Sequence, residues 1–326
     1  MIREGQPPAD PATADAVREL KTALDAALTK AGFRYRLAPL FIVDKLQETL
    51  EELCRDGLFA ESLYEEYRES LRFSPPDDVP EPRTLIAVAS WSPAVKLRFQ
   101  FDDGPFDATV PPTYLSSVGR DRGLQALRSV LAPAGCGVGP ARGPKKLLAV
   151  RSGLAQYGRN NLAYVRGLGS KVRLDIYATD AHLGAEEYVN KGSELMSCCP
   201  PCRNCHHHCP TGCIPHAGTV IDAARCLTYL NENEGDWPDW LDPSAHNSLV
   251  GCMLCQELCP ANRYYPKRRE VIAEFDREET QLILENRPAD ELPDALRHTL
   301  EQLDLAEYST VLGRNLVALR GASRTS

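Results

Sequence analysis

The chain has 326 residues, of which 43% are hydrophobic and 25% are charged, and its formal net charge is −8. That length favours two or three domains, and the composition is that of an ordinary globular protein. No apolar run reaches the roughly 18 residues that span a bilayer, and the acidic balance argues against a protein that grips a nucleic-acid backbone. Because the start has no apolar signal core, we expect a cytoplasmic protein without a membrane segment.

The first 80 residues carry two helical patterns. Pro and Ala dominate residues 1–16, which we expect to be a frayed tail. Apolar residues recur at helical spacing further on, which predicts a helix over 13–32 and another over 43–53. The proline-rich, acidic segment 73–82 is predicted to be a boundary or a long loop.

Strand patterns follow this segment. Residues 84–90 are continuously apolar, as in a buried strand, and residues 96–102 and 172–180 alternate apolar with polar residues. Helical stretches lie between them, near 121–131 and 144–152. The mixture predicts an α/β or α+β sheet domain with helices packed on it.

The last part of the chain returns to helices, with Leu296, Leu300 and Leu303 at helical spacing. The predicted plan has four parts: an N-terminal helical region over 1–80, an α/β cofactor-binding domain over 81–190, a ferredoxin-like double 4Fe–4S domain over 191–266 and a C-terminal helical segment over 267–326.

Twelve cysteines in a chain without a signal peptide indicate metal binding, and the spacing of eight of them is specific. The run Cys-x2-Cys-x2-Cys-x3-Cys-Pro from Cys199 is that of bacterial ferredoxins, in which the fourth cysteine ligates the other cluster of a pair. A second set of four lies nearby. This crossed arrangement predicts two 4Fe–4S clusters: cluster one held by Cys199, Cys202, Cys205 and Cys259, and cluster two held by Cys209, Cys226, Cys252 and Cys255.

Two structural zinc sites are the alternative, because zinc also takes four cysteines, but zinc ribbons show two separate Cys-x2-Cys pairs. The spacing favours iron–sulfur. Cys54, Cys136 and Cys213 are expected to be packing residues, and Cys198 is one position out of register. His206–His208 lies between two ligands and is expected to be polar surface near a cluster.

The glycine-rich segment 152–170 combines four glycines with Arg159 and two asparagines. It suits a cofactor rich in amides or phosphates, and it equally suits a tight structural loop that caps a helix. Neither the Walker pattern nor GxGxxG is present. The spacing alone leaves both interpretations open.

Several of these stretches together resemble a known family. GRNN at 158–161, a strand that ends in TD, CxxCxxCxxxCPTG, ARCLTYLNE and GCMLCQELCPANR are similar to the epoxyqueuosine reductase superfamily. They are closer still to its short relatives with a double 4Fe–4S cluster domain. The likeness covers about residues 80–320 and is most specific at 199–262.

The resemblance implies a nitroreductase-like sheet domain that holds cobalamin, followed by a ferredoxin-like module whose two clusters pass electrons to the cobalt. Reductive dehalogenases share this plan. In the family a glycine–basic–asparagine loop contacts the cofactor, and the matching positions here are Tyr157, Gly158, Arg159, Asn160 and Asn161. A low-potential donor of the ferredoxin or flavodoxin type is the expected electron source. FMN in the same domain is the alternative cofactor.

The sequence departs from the tRNA-modifying members of that family at two motifs. Their proton-donating aspartate precedes the loop, whereas no acidic residue lies between Gly137 and Gly158, and their DYH motif is replaced by RDR at 120–122. Many of them also carry helical repeats for tRNA after the module. With the net charge of −8, these departures favour a small organic substrate over tRNA. Tyr114 is the candidate proton donor, and a core aromatic is its structural alternative.

Two functions follow from these observations. The first is an enzyme, an iron–sulfur and cobalamin-dependent reductase of a small molecule, in which the cofactor does the chemistry and the protein positions it. The second is an electron-transfer or activating protein that reduces the corrinoid or flavin of a partner. The missing aspartate is the reason to consider the second.

Overall fold

A computed structural model describes residues 11–115, 117–184, 195–265 and 269–325. The helices in these ranges are α1 (Pro11–Lys30), α2 (Ile42–Arg55), α3 (Glu61–Leu71), α4 (Ser117–Leu131), α5 (Lys145–Arg151), α6 (Asn204–His207), α7 (Leu227–Glu232), α8 (Leu254–Glu257), α9 (Arg277–Leu284), α10 (Asp294–Gln302) and α11 (Ser309–Thr325). The strands are β1 (Arg34–Pro39), β2 (Thr84–Trp91), β3 (Val95–Phe101), β4 (Gly104–Val110), β5 (Val138–Pro140), β6 (Ala155–Tyr157), β7 (Ala163–Val165), β8 (Val172–Thr179) and β9 (Val271–Phe275). None of these helices has the length and apolar composition that a bilayer crossing requires.

A four-stranded antiparallel sheet in the order β1-β2-β8-β5 forms the first layer, with helices on both faces. Successive side chains of β2 point to opposite faces, as a strand requires. Leu85 and Ala87 pack in one hydrophobic cluster with α2 and α5, and Ile86 and Val88 pack in another with α1 and α4. The continuous apolar run of β2 is therefore explained by burial on both sides.

A second sheet in the order β4-β3-β9 packs against α9, α10 and α11. Its core includes Phe99 and Phe275, whose rings stack with centroids 5.0 Å apart. Strand β9 lies parallel to β3, which comes about 175 residues earlier in the chain. The predicted strand at 96–102 is thus present, but it lies in this second sheet and not beside β2.

The predicted mixture of helices and sheet is confirmed, with corrections at both ends. The helix predicted at 13–32 spans Pro11–Lys30, so the frayed tail is wrong for residues 11–16, and residues 1–10 lie outside the described part. Region 1–80 is not only helical, because β1 pairs along its whole length with β2. The segment 267–326 likewise contains β9 before its helices.

The glycine-rich segment forms the hairpin β6–β7 at the edge of the first core. Gly169, at φ +63°, packs so closely that a Cβ there would lie 2.4 Å from Asn262 Oδ1. Asn262 in turn accepts a hydrogen bond from the Ser170 amide at 3.1 Å and donates one to Ser170 Oγ at 2.8 Å. The hairpin end is therefore a docking point for the cysteine-rich part of the chain.

Candidate metal centre

Two short helices position the cysteines. Cys205 lies in α6 and Cys255 lies in α8, and these helices contact each other. Cys209 and Cys259 each follow one of the helices and precede a proline, which cannot continue a helix. The chain therefore turns away from the helix after each of these two cysteines. Each of the two thiols is thereby directed towards the other half of the cysteine-rich module.

The first cavity, of about 150 Å³, is lined by five cysteines together with residues of the glycine-rich hairpin. The cysteines are Cys198, Cys199, Cys202, Cys205 and Cys259. Cys259 comes from the second half of the module, more than 50 residues after the others. The four thiols predicted for cluster one thus line one cavity.

The second cavity, of about 170 Å³, lies on the side of α5 and α7. Its cysteines are Cys209, Cys213, Cys226, Cys252 and Cys255. These include all four thiols predicted for cluster two. Lys146, Asn161 and Tyr114 line the same cavity from the sheet domain.

The side chains are not arranged around single ions. Within the described residues, no group of three or more His, Cys, Asp or Glu side chains could hold a mononuclear metal. A tetrahedral zinc with bonds of about 2.3 Å would bring its thiolates to within about 4 Å of one another. The four predicted thiols that line each cavity match the number of ligands that a 4Fe–4S cluster requires.

Arg159 supports an anionic group in the first cavity. It is 4% exposed, its Nη2 donates to the Cys199 carbonyl at 2.8 Å and its Nη1 donates to the His216 carbonyl. Its buried Nε has no hydrogen-bond partner among the described residues. A buried cation with an unused donor is costly unless a negative charge lies nearby, and a cluster with four thiolates supplies one.

The predicted cofactor loop lies between the two cavities. Asn160 lines both, and its Nδ2 donates to Tyr164 Oη at 3.1 Å and to the Cys255 carbonyl at 3.4 Å. Gly158 lies so close to these side chains that a Cβ would be 2.6 Å from Tyr164 Cε2. Tyr157 is buried in the core of the sheet domain.

Asn161 adopts a left-handed conformation at φ +59° and holds Lys146. Lys146 Nζ donates to the Asn161 carbonyl at 3.2 Å and to Asn161 Oδ1 at 2.6 Å. Asn161 Nδ2 donates to the Thr219 carbonyl at 2.8 Å. The ammonium is thereby fixed at the second cavity, and the sequence pattern alone did not single out this pairing.

Tyr114, the predicted proton donor, is 8% exposed, and its hydroxyl donates to the Glu232 carboxylate. Burial raises the pKa of Tyr114 well above its usual value and also raises the pKa of Glu232. The ring contacts Tyr308 edge to face, with centroids 5.6 Å apart. The hydroxyl proton is therefore held in a buried pair with Glu232.

The remaining cysteines and histidines differ in their surroundings. Cys54 and Cys136 pack against hydrophobic clusters, whereas Cys213 lies 3.5 Å from the Cys209 sulfur. Cys213 is also buried, and its contact with Cys209 lowers the pKa of Cys209 to about 4. His206 Nδ1 contacts the Ile214 carbonyl at 2.7 Å, and this contact holds the first residue of the His206–His208 segment in place.

Comparison with known proteins agrees with this geometry. Residues 198–262 match the family described as the 4Fe–4S double cluster binding domain. The epoxyqueuosine reductase of Escherichia coli (strain K12) is 39% identical over 118 residues, which cover 36% of this chain and 29% of that protein. The one from Yersinia pestis is 34% identical over 166 residues, 51% of this chain and 34% of the relative. This chain is related to the epoxyqueuosine reductases.

The likeness extends to the fold. The structure of epoxyqueuosine reductase from Streptococcus thermophilus aligns with a TM-score of 0.65 at 17% identity, covering 93% of this chain and 81% of that one. The enzyme from Bacillus subtilis gives the same TM-score at 19% identity. The predicted fold class and resemblance are confirmed. The aligned part of this chain spans about a third of the length of the curated relatives.

Proposed function

We propose that this chain is an iron–sulfur reductase that passes electrons through two 4Fe–4S clusters to a corrinoid and reduces a small organic substrate. The observation that carries the proposal is the division of eight cysteines between two cavities in the crossed order, with the second cavity facing the sheet domain. When bound, the clusters would supply one-electron transfer and the corrinoid the low-potential chemistry at the substrate.

The polar side of the second cavity is where we propose that the corrinoid contacts the protein. Its volume of about 170 Å³ is below the roughly 300–1,000 Å³ of pockets for organic ligands, so it suits a cluster alone. The corrinoid would lie outside it, against Asn161 and the exposed side of Lys146. The amide of Asn161 and the ammonium of Lys146 are suitable partners for the amide groups of a corrin.

The left-handed Asn161 also supports a site at this position. Left-handed backbone at a non-glycine residue costs free energy and persists where the surrounding contacts over-determine it. Here the contacts to Lys146 and to the Thr219 carbonyl fix both Asn161 and the ammonium. Lys146 would stabilise negative charge that develops next to the second cavity, while the Tyr114 hydroxyl keeps its proton, which it donates in a hydrogen bond to the Glu232 carboxylate.

A small organic substrate is part of the proposal. One solved relative is an epoxyqueuosine reductase with a tRNA stem loop, but the present chain has a net charge of −8, which opposes binding to a polyanion. The sequence also has no acidic residue between Gly137 and Gly158. The absence of an acidic proton donor before the loop favours the second candidate, an electron-transfer protein that reduces a partner's corrinoid or flavin.

Cobalt retention separates the two candidates. The anaerobically reconstituted protein would be incubated with hydroxocobalamin and desalted, and cobalt would be measured per chain. The reductase is expected to retain about one cobalt, and Lys146→Glu to retain much less, whereas the matched Lys30→Glu on α1 should behave as wild type. Full cluster content with no retained cobalt would favour the electron-transfer protein, and a flavin spectrum after cluster removal would favour FMN.

A further inference from the structure

The first cavity reaches the molecular surface. Three of its lining residues, Cys198, Asn204 and Pro260, are exposed. The second cavity also has exposed lining residues, Thr113, Lys146 and Pro210, but it is the side on which we propose that the corrinoid lies. Electron transfer between proteins is fast only over short distances, so an external donor would reach cluster one through this opening.

The chain around this opening differs in charge from the rest of the molecule. Segments 198–205 and 258–263, which contain the lining residues of the first cavity, hold two arginines and no acidic residue, whereas the whole chain has 45 acidic residues against 37 Lys and Arg. Arg203 and Arg263 are both exposed, and neither forms an ion pair with a carboxylate of the described residues. Two guanidinium groups without a carboxylate partner among the described residues therefore flank the first cavity.

Apolar side chains accompany these arginines. Leu258 is 40% exposed and Tyr264 is 79% exposed, and the Arg263 guanidinium lies 4.5 Å from the centre of the Tyr264 ring. Asn204 Nδ2 donates to the Leu258 carbonyl at 3.5 Å, which joins the two bordering segments. Exposed aromatic residues and arginines are enriched at protein interfaces.

We propose that this surface, the cluster-one face formed by Arg203, Leu258, Arg263 and Tyr264, docks an acidic, low-potential, one-electron carrier protein. The proposal rests on the proposed iron–sulfur function. Each docking transfers one electron, so the carrier is oxidised and cluster one is reduced by one electron, and a two-electron product requires two dockings. Because the protein is acidic overall, it repels an acidic carrier elsewhere, and the local positive charge orients the encounter.

The test uses a double charge reversal, Arg203→Glu/Arg263→Glu, and a matched control, Arg55→Glu/Arg83→Glu, at exposed positions of the sheet domain. A reduced acidic ferredoxin is mixed with each oxidised, cluster-loaded protein in a stopped-flow instrument, and the bleaching of cluster absorbance is followed. At low ionic strength we expect the second-order rate constant to fall about 10- to 100-fold for the face variant and at most a few-fold for the control. The difference should shrink as salt is added.

Reduction by dithionite separates docking from cluster integrity. Both double variants should hold about eight irons and react with dithionite at the wild-type rate. Equal losses of ferredoxin rate in the two variants would show an effect of net charge alone and would overturn the proposal. The docking proposal would also be overturned if dithionite reduced the clusters of the wild-type protein and ferredoxin did not. The iron–sulfur function would then still stand. Wild-type protein without reducible clusters would contradict the proposed function, and the docking with it.

Discussion

Removing two cysteines from one cavity is expected to cost one cluster, whereas removing one cysteine from each cavity is expected to cost both. The two variants are Cys202→Ala/Cys259→Ala and Cys202→Ala/Cys209→Ala. They are made in a background in which Cys198 and Cys213, the fifth thiols of the two cavities, are alanine. The two variants share Cys202→Ala and differ in whether Cys259 or Cys209 is the second cysteine replaced.

The iron content follows from the two sets of thiols. In the first variant cavity two keeps its four ligands, so about four irons per chain should survive treatment with a chelator after anaerobic reconstitution. In the second variant each cavity keeps three thiols, and neither cluster is fully ligated, so little chelator-resistant iron should remain. The background protein should hold about eight.

Uncrossed ligation predicts the reverse. If Cys209 belonged with the three cysteines that precede it, the Cys202/Cys209 pair would spare one cluster and the Cys202/Cys259 pair would damage both. That result would refute the crossed assignment. Cys54→Ala/Cys136→Ala is the control for loss of two cysteines, since neither lines a cavity with the predicted ligands, and it should leave the iron content unchanged.

Two further predictions concern stability. Gly313→Ala should lower the free energy of unfolding by about 1–3 kcal/mol, because its Cβ would lie 2.5 Å from the Ile283 carbonyl oxygen. Gly321→Ala lies on the same helix, but its Cβ would meet nothing within 4 Å. This variant should be neutral or stabilising by up to about 1 kcal/mol. Denaturant unfolding measures both, and equal effects would contradict the packing of α11 on α9. Burial raises the pKa of Glu232, so above pH 4.5 the native protein keeps a proton that the unfolded chain releases. Wild type therefore loses stability as the pH rises above 4.5, and Glu232→Gln, which does not titrate, should become more stable relative to it. A stability difference that stays flat from pH 4.5 to 7 would contradict this.

The sequence patterns located the features that depend on local spacing. The long apolar strand predicted at 84–90 is present as β2. The ferredoxin spacing predicts which cysteines belong to each of the two sets, and each cavity contains one of those sets. A short strand such as β9 carries no comparable signal, because its formation depends on β3, far away in the chain. Its existence is decided by tertiary pairing and not by its own residues.

The surroundings of the clusters were harder to predict, for the same reason. The resemblance predicts that Arg159 is a cofactor residue, and its contacts are to the carbonyls of Cys199 and His216, 40 and 57 residues further on. Lys146 is positioned by a left-handed Asn161, a conformation that the sequence does not specify.

The metal content of the reconstituted wild-type protein tests the central claim most directly. Iron, acid-labile sulfide and zinc would be measured per chain after anaerobic reconstitution and desalting. Two 4Fe–4S clusters predict about eight irons and about eight sulfides, with no stoichiometric zinc. About two zinc ions with no sulfide would contradict the account, because the ten thiols that line the cavities would then serve structural sites without electron transfer.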